Sequence, residues 1–171
     1  MEYWSVGEME RKNKNCGLAT DLNIRLAGPD DAESIARLVR ELAVYERLAH
    51  EVISTADDFR QALSRPGSNV EVLLAELDGG AVGFALFFQN FSTFVGRPGL
   101  YLEDIFIEPE YRRRGIGLAI FQELLQIARR RNYGRMEWAV LDWNQPAIDF
   151  YTKKFHVRLL EEWRICRIEL V

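Results

Sequence analysis

The stretch Leu100-Tyr-Leu-Glu-Asp-Ile-Phe-Ile-Glu-Pro-Glu-Tyr-Arg-Arg-Arg-Gly-Ile-Gly117 decides the fold of this chain. Its first part is rich in aromatic and β-branched residues and stops at Pro109, which predicts a strand. A basic turn follows, and then a helix whose apolar residues recur at three-and-four spacing: Ile120, Phe121, Leu124, Leu125 and Ala128. Because the first N–H groups of a helix lack internal acceptors and glycine lets a phosphate approach them, this order predicts an anion-binding turn.

The spacing of the turn separates it from two better-known phosphate-binding motifs. It is neither the dinucleotide motif G-x-G-x-x-G nor a P-loop, because no Gly-Lys-Ser/Thr follows. The order Arg112-x-x-Gly115-x-Gly117 after an apolar strand resembles motif A of the Gcn5-related N-acetyltransferases (GNAT). In that family the turn binds the pyrophosphate of acetyl-CoA. The alternative interpretation is a solvated basic turn that starts a helix.

The composition limits the possible classes of protein. The chain has 171 residues, 48% of them hydrophobic and 28% charged, which is typical of one soluble globular domain. No apolar run approaches the roughly 20 residues that span a bilayer, and no signal peptide is visible, so we expect a cytoplasmic protein that does not bind membranes. Neither Cys16 nor Cys166 has a metal-like spacing with a histidine, so we expect no metal. A net charge of −4 argues against nucleic acid and suits a cationic substrate.

The pattern of apolar and turn residues predicts an extension followed by one domain. Residues 1–22 are polar and unpatterned and are interpreted as an N-terminal extension that need not be ordered; the domain spans 23–171. Helices are expected after caps at Asp30 or Asp31, at Thr55, at Gly115 and at Asn144. Strands are expected at 23–27, 70–77, 81–91, 101–107, 136–141, 157–160 and 163–170. This order predicts an α/β (α+β) domain with a mixed sheet and helices on both faces.

Further matches narrow the resemblance to the diamine and thialysine acetyltransferase branch, which includes spermidine/spermine N1-acetyltransferase. They are Glu41–Glu46, Tyr101–Asp104, Ala139–Gln145, Phe150-Tyr151 and Glu161–Arg164. The resemblance implies a GNAT fold. In that fold a mostly antiparallel sheet of about seven strands is splayed between the strands at 100–107 and 135–142.

The chain departs from this branch near its C-terminus, where the segment before Trp163 is also shorter, and in the loop before the central strand. Phe155-His156 stand where the branch has Gly-Ala, and a turn glycine replaced by Phe must adopt another geometry. Ser92-Thr-Phe94 replace the Asp-Pro-Trp of spermine-type enzymes, and losing that acid weakens the case for a long polyamine substrate.

The resemblance also implies catalytic roles. Glu103 matches the acid that accepts the amine's proton, and Tyr151 matches the general acid beside the coenzyme sulfur, for which a tyrosine of pKa about 10 is suited. Strand alternation places Asp104 on the opposite face from Glu103, so both enter one pocket only if a bulge intervenes, as in the family. The alternatives are a surface carboxylate for Glu103 and a core aromatic for Tyr151.

Two sets of binding residues follow from the same matches. The coenzyme set is Ile105, Phe106, Ile107, Arg112, Arg113, Arg114, Gly115, Ile116, Gly117, Leu118, Asn144 and Tyr151. The amine set is Tyr45, Glu46, Phe94, Glu103, Asp104 and Glu161. The alternative for Asn144 is a helix cap, and for Tyr45 and Glu46 the frayed end of a helix. A pocket closed by Tyr45 and Phe94 would favour small molecules over peptides.

The resulting expectation is an acetyl-CoA-dependent N-acetyltransferase. It would acetylate a primary amine of a small diamine-like or lysine-like molecule by direct attack in a ternary complex, and the branch implies a homodimer. One alternative is an acetyltransferase for protein N-termini or lysines, since the scaffold hosts both. Another is an acyl-CoA-binding module without turnover, which would need neither Glu103 nor Tyr151.

Overall fold

The centre of the domain is a five-stranded sheet in the order β1-β2-β3-β4-β5. The computed structural model describes residues 21–170, so most of the predicted N-terminal extension lies outside the described residues. The strands are β1 (Asn23–Leu26), β2 (Val70–Leu77), β3 (Gly80–Ser92), β4 (Arg97–Ile107) and β5 (Met136–Trp138). Neighbouring strands are antiparallel except β4 and β5, which are parallel. The predicted mixed, mostly antiparallel sheet is confirmed.

Within residues 21–170 the chain forms four α-helices: α1 (Ala32–Glu46), α2 (Ala56–Ser64), α3 (Ile116–Arg130) and α4 (Gln145–Phe155). The predicted cap at Thr55 is confirmed, because its backbone N–H donates to the Asp58 carboxylate at 2.8 Å and its hydroxyl accepts from the Asp58 N–H. The start of α1 differs in detail. Asp31 precedes the helix, but its carboxylate accepts from Gly28 and Arg25 instead of from the first turn.

Helix α1 covers one face of the sheet with the apolar stripe that its sequence predicts. The buried core there consists of Ile35, Leu38 and Leu42 from the helix and Val72, Leu74, Phe84 and Phe106 from β2, β3 and β4. Arg37 anchors the same helix, donating to the Ala81 carbonyl at 2.6 Å and pairing with Glu41 and with Glu108, just beyond β4. These contacts fix the first half of α1 beside the end of β4.

Helix α3 covers the opposite face. Leu102 lies on that face by register, paired with Phe87 on β3 and Trp138 on β5, and the Trp138 ring meets Phe121 of α3 edge-on at 5.1 Å. The buried residues of α3 are Ile116, Ile120, Phe121, Leu124, Ile127 and Ala128. Helices on both faces are therefore confirmed.

The pairing between β4 and β5 ends before β4 itself ends. The ladder between them runs from Leu100–Met136 to Leu102–Trp138, whereas β4 continues to Ile107 paired with β3. The strand predicted at 136–141 thus ends early, at Trp138. Pairing that stops partway along β4 agrees with the expected splay.

The expected count of seven strands is wrong. Within the described residues no strand forms at 157–160 or 163–170; a turn at 161–162 separates two irregular segments. Their alternating apolar residues predicted strands, but β-propensity becomes structure only where a partner strand supplies hydrogen bonds and packing. The side chains of Trp163, Ile165, Ile168 and Leu170 are at least 68% exposed.

The chain forms two compact units, one ending at Trp138 and one from Ala139 onward. The first contains the sheet and helices α1–α3, and the second contains α4 and the segment after it. A search of the described residues finds no helix that combines the length and the apolar composition needed to cross a bilayer.

Candidate active site

A bulge in β4 places two acidic side chains on one face of the sheet. Asp104 pairs with Leu86 and Leu102 pairs with Phe87, which leaves Glu103 as an extra residue without a partner. Because the extra residue breaks the alternation, Glu103 and Asp104 both lie on the face that carries Phe106 and helix α1. The bulge that the family resemblance implied is therefore present.

A third carboxylate joins them from helix α1. Burial raises the pKa of Glu46, the last residue of that helix. The pKa of Asp104 is raised to about 6, first by burial and then by the negative charges of Glu103 and Glu46. This end of the face therefore attracts a cation and holds one carboxylate that titrates near neutral pH.

Tyr45 lies between the acidic residues and the basic turn. Its ring centroid is 6.4 Å from that of Phe106, and the guanidinium carbon of Arg112 lies 4.4 Å from the Tyr45 centroid. The ring also forms one wall of a cavity of about 360 Å³. The cavity is lined by Arg40, Glu41, Val44, Tyr45, Phe106 and Pro109.

The turn before α3 has the backbone geometry of an anion site. Gly115 has φ 81° and Arg113 has φ 63°, both left-handed, and no side chain caps the helix. The first amides of α3 are thus available to an outside acceptor, and the positive end of the helix dipole favours an anion there. Arg113 and Arg114 are exposed beside these amides, so a pyrophosphate fits this turn.

Several predicted coenzyme residues can act only through their backbone. Phe106 is 3% exposed and Ile116 is 1% exposed, both packed into the core. Arg112 turns its side chain back, its Nε donating to the Ile107 carbonyl at 2.9 Å. Sequence reasoning missed the stacking of Arg112 on Tyr45, since the two are far apart in the chain and only α1 docking joins them.

Asn144, Tyr151 and Glu161 lie in the C-terminal unit. Asn144 caps α4, with its side chain accepting from the Ala147 N–H, which confirms the helix-cap reading. Tyr151 is the buried residue of α4, and its ring lies edge-on to Phe150 at 5.5 Å. Glu161 is exposed in the turn that follows.

Phe94 does not close the pocket with Tyr45 in this chain. It lies in the tight turn between β3 and β4, is 95% exposed and is absent from the cavity lining. The turn is closed by Ser92, whose hydroxyl accepts from Val95 and whose carbonyl accepts from Gly96. This short hairpin directs the side chain into solvent, so Phe94 does not line this cavity.

Tyr101 and Glu137 lie on the same face as Glu103, Asp104 and Glu46, which is called the acidic face below. Sequence reasoning missed both. Tyr101 stacks on Phe88 with centroids 5.2 Å apart and pairs with Glu137 of β5. Its pKa is raised by burial and then by Glu103 and Glu137. The alternation of side chains along a strand could have placed Tyr101 on this face, since it lies two residues before Glu103. Only the register between β4 and β5 shows that Glu137 lies beside it.

Known proteins resemble this chain along most of its length. A model of the acetyltransferase (GNAT) family matches residues 33–156. An L-ornithine N5-acetyltransferase of Arabidopsis thaliana is 32% identical, with 85% of this chain and 83% of that protein covered. A thialysine N-epsilon-acetyltransferase of Bos taurus is 40% identical, with 75% and 79% covered. Among solved structures, an integron cassette protein from the mobile metagenome of V. cholerae has a TM-score of 0.72 at 24% identity, covering 88% of this chain and 94% of that chain.

Proposed function

The chain belongs to the acetyltransferase (GNAT) family, and we propose that it transfers acetyl from acetyl-CoA to a primary amine of a small diamine-like or lysine-like molecule. The observation that carries this proposal is the bulge that gathers Glu103 and Asp104 on one face beside Glu46. A cationic amine needs such a field to bind, and it must lose a proton before it can act as a nucleophile.

The coenzyme site is assigned to the turn before α3 and the free stretch of β4. The amides from Gly115 to Leu118 would receive the pyrophosphate, with Arg113 and Arg114 adding charge. The backbone of β4 from Glu103 to Ile107, beyond the end of the β5 ladder, would hold the pantetheine. Asn144, in the C-terminal unit, is proposed from the family resemblance to hydrogen-bond the coenzyme.

The proton acceptor is assigned to Asp104, with Glu103 beside it, although the family resemblance implied Glu103. A carboxylate with a pKa of about 6 is closer to the operating pH than an ordinary one and is a better match for a bound ammonium. Glu103 is exposed at the bulge, where its charge favours a proton on Asp104 and a cation nearby.

The coenzyme, when bound, supplies an acetyl thioester. The residues of this chain would accept and donate the protons and stabilise the negative charge that forms during acetyl transfer. Asp104 would take one proton from the ammonium, so that the nitrogen can form its bond to the thioester carbonyl carbon in the ternary complex. The second proton of that nitrogen would pass to solvent once the bond has formed. Backbone N–H groups of β4 stabilise the oxyanion as the carbon–sulfur bond breaks. Tyr151 gives its phenolic proton to the departing thiolate and recovers one from solvent.

The substrate class is argued from charge and from the relatives. Three carboxylates offer more negative charge than one ammonium needs, which suits a molecule with a second cationic group. The relatives above are named for L-ornithine and thialysine, both of which carry two amines. A homodimer is part of the proposal through the family resemblance, and sedimentation equilibrium measures it.

The decisive experiment is a panel of amines with acetyl-CoA, following thiol release and the mass of the product. The panel contains ornithine, thialysine, lysine, diaminopropane, spermidine, propylamine and a peptide with a free N-terminus. We expect a diamine or a lysine-like amino acid to give the highest kcat/KM, with one acetyl added. A peptide that outcompetes every small amine would overturn the proposed substrate class. Tight coenzyme binding without any thiol release would overturn the proposal that the protein is an active acetyltransferase.

A further inference from the structure

We propose that Arg112 is a positioning residue for the amine site: its guanidinium holds the Tyr45 ring in place and does not bind coenzyme phosphate. The basic turn would then serve both substrates, through its backbone and exposed arginines for the coenzyme and through Arg112 for the amine. This inference rests on the proposed function, since it assigns the work of one arginine within that site.

The contacts of Arg112 point away from the phosphate turn. Its guanidinium carbon lies 4.4 Å from the Tyr45 centroid and 5.5 Å from the Phe106 centroid, in the corner that the two rings form. Its Nε donates to the Ile107 carbonyl at 2.9 Å, which fixes the plane of the group. A guanidinium held on one nitrogen and stacked on aromatic faces is already engaged.

The neighbouring arginines differ in exposure. Arg113 and Arg114 are exposed, whereas Arg112 is half-buried, although the three are consecutive in sequence. Arg113 also has the left-handed backbone that turns the chain toward the helix. Charge for a phosphate is therefore available without Arg112.

Tyr45 lies in the last turn of α1, where contacts with other elements, including those of Phe106 and Arg112, keep a side chain in place. It is the penultimate residue of the helix, which ends at Glu46, and Arg47 then adopts φ 66°. Side chains in a final turn move with the fraying end unless another element holds them. Tyr45 is also a wall of the 360 Å³ cavity and precedes Glu46 of the acidic face. Loss of the Arg112 contact would therefore loosen the cavity and displace its neighbouring carboxylate.

The test compares Arg112→Met with Arg113→Met, because the two changes remove the same charge from adjacent positions. Arg112→Met should raise the amine KM by about 3- to 30-fold, the range that one desolvated cation–π contact provides. Its Kd for coenzyme A, measured by calorimetry, should stay within about twofold of the wild type. Arg113→Met should do the reverse, weakening coenzyme A and leaving the amine KM unchanged.

A phosphate-binding role for Arg112 would overturn the proposal, and it would appear as a tenfold or greater rise in coenzyme Kd with an unchanged amine KM. Arg112→Lys separates charge from shape, since lysine keeps the cation but not the planar fork. We expect Arg112→Lys to restore only part of the amine affinity. Full restoration by Lys would also contradict the stacked geometry.

A second measurement does not depend on turnover. The melting temperatures of Arg112→Met, Tyr45→Leu and the double variant form a double-mutant cycle. If the two side chains are in contact, the double variant should lose less melting temperature than the two single variants lose together. Additive losses of melting temperature would show that Arg112 and Tyr45 do not stabilise each other, which would overturn the proposal. If the wild type acetylates no amine, the proposed function fails, while this cycle and the coenzyme titration still decide the role of Arg112.

Discussion

At the scale of single residues, the extra residue Glu103 in β4 decides what the acidic face presents to a substrate. Without the bulge, Asp104 would face helix α3 and its core. With it, Asp104 faces Glu46 and is partly buried, which raises its pKa to about 6. Its proton affinity therefore comes from backbone register and burial, and side-chain identity alone would not have predicted it.

Asp104→Asn should remove the acidic limb of the pH profile. In the wild type kcat/KM should rise with pH through about 6, as the Asp104 carboxylate loses its proton and becomes able to accept one. In the variant the rate should fall by roughly 10²–10⁴ and lose that limb. Steady-state rates between about pH 5 and 9, a range that spans this pKa, measure the effect. Glu103→Gln serves as the paired comparison. A limb that persists in Asp104→Asn but vanishes in Glu103→Gln would transfer the role to Glu103.

The same carboxylate predicts a pH-dependent stability. Because the folded pKa of Asp104 is raised above its unfolded value, its stabilising contribution is fully present at low pH and is lost as pH rises through about 6. Asp104→Asn should therefore melt at a higher temperature than the wild type at pH 8, with the difference shrinking toward pH 4, near the ordinary carboxyl pKa of about 4. Melting curves at the two pH values check this. A variant that is less stable at pH 8 would show that the ionised carboxylate stabilises the fold.

Tyr151→Phe should separate catalysis from packing. The change keeps the buried ring of α4 and removes only its hydroxyl. If Tyr151 protonates the thiolate, kcat should fall by roughly 10²–10⁴ while the melting temperature and coenzyme affinity stay close to those of the wild type. Thiol-release kinetics beside a melting curve provide both quantities. Near-normal turnover would leave solvent as the acid.

At the scale of elements, the link from β4 to α3 is the part that we propose binds the anionic coenzyme. Strand β4 ends at Ile107, a short turn follows, and the helix begins at Ile116 with a left-handed Gly115 before it. Only glycine adopts that conformation without cost and also leaves space for a phosphate against the amides.

Gly115→Glu should abolish coenzyme binding, because it adds both bulk and negative charge at the phosphate position. The matched control is Gly79→Glu in the β2–β3 turn, since Gly79 has the same φ of 81° and open space around a new Cβ. Both changes carry similar backbone strain, so only the first should lower coenzyme A affinity by at least about tenfold in calorimetry. Equal affinities in the two variants would remove the phosphate from this turn.

At the scale of the whole molecule, the acidic cluster and the arginine-rich turn lie on different elements. The net charge is −4, yet the turn between β4 and α3 carries three consecutive arginines. The carboxylates Glu46, Glu103 and Asp104 gather at the end of α1 and on the β4 bulge. One face thus suits a cationic amine and one turn suits an anionic coenzyme.

This separation predicts that a diamine is preferred over a monoamine of equal length. At low salt the ratio of kcat/KM for diaminopropane over propylamine should be about 10 or more, and it should fall as salt screens the second ammonium. Glu46→Gln should reduce the ratio, whereas Glu123→Gln on the outer side of α3 should not. Equal kcat/KM for the two amines at low salt would refute the electrostatic selection.

The sequence by itself determined the local structure, because periodicity, caps and turn residues act over a few positions. The helix stripes, the capping box at Thr55, the hairpin at Asp78-Gly79 and the glycine start of α3 were all predictable from it. The same holds for the turn that would bind a phosphate, since its geometry depends on consecutive residues.

Tertiary structure alone decided how distant segments meet. The stack of Arg112 on Tyr45 requires α1 to dock beside the end of β4, and Glu137 joins Tyr101 only through β4–β5 register. The C-terminal segments show the converse: residues 157–160 and 163–170 have the apolar alternation of strands but form none. A strand is stabilised by the hydrogen bonds of a neighbour, and a sequence pattern does not say whether that neighbour is in place.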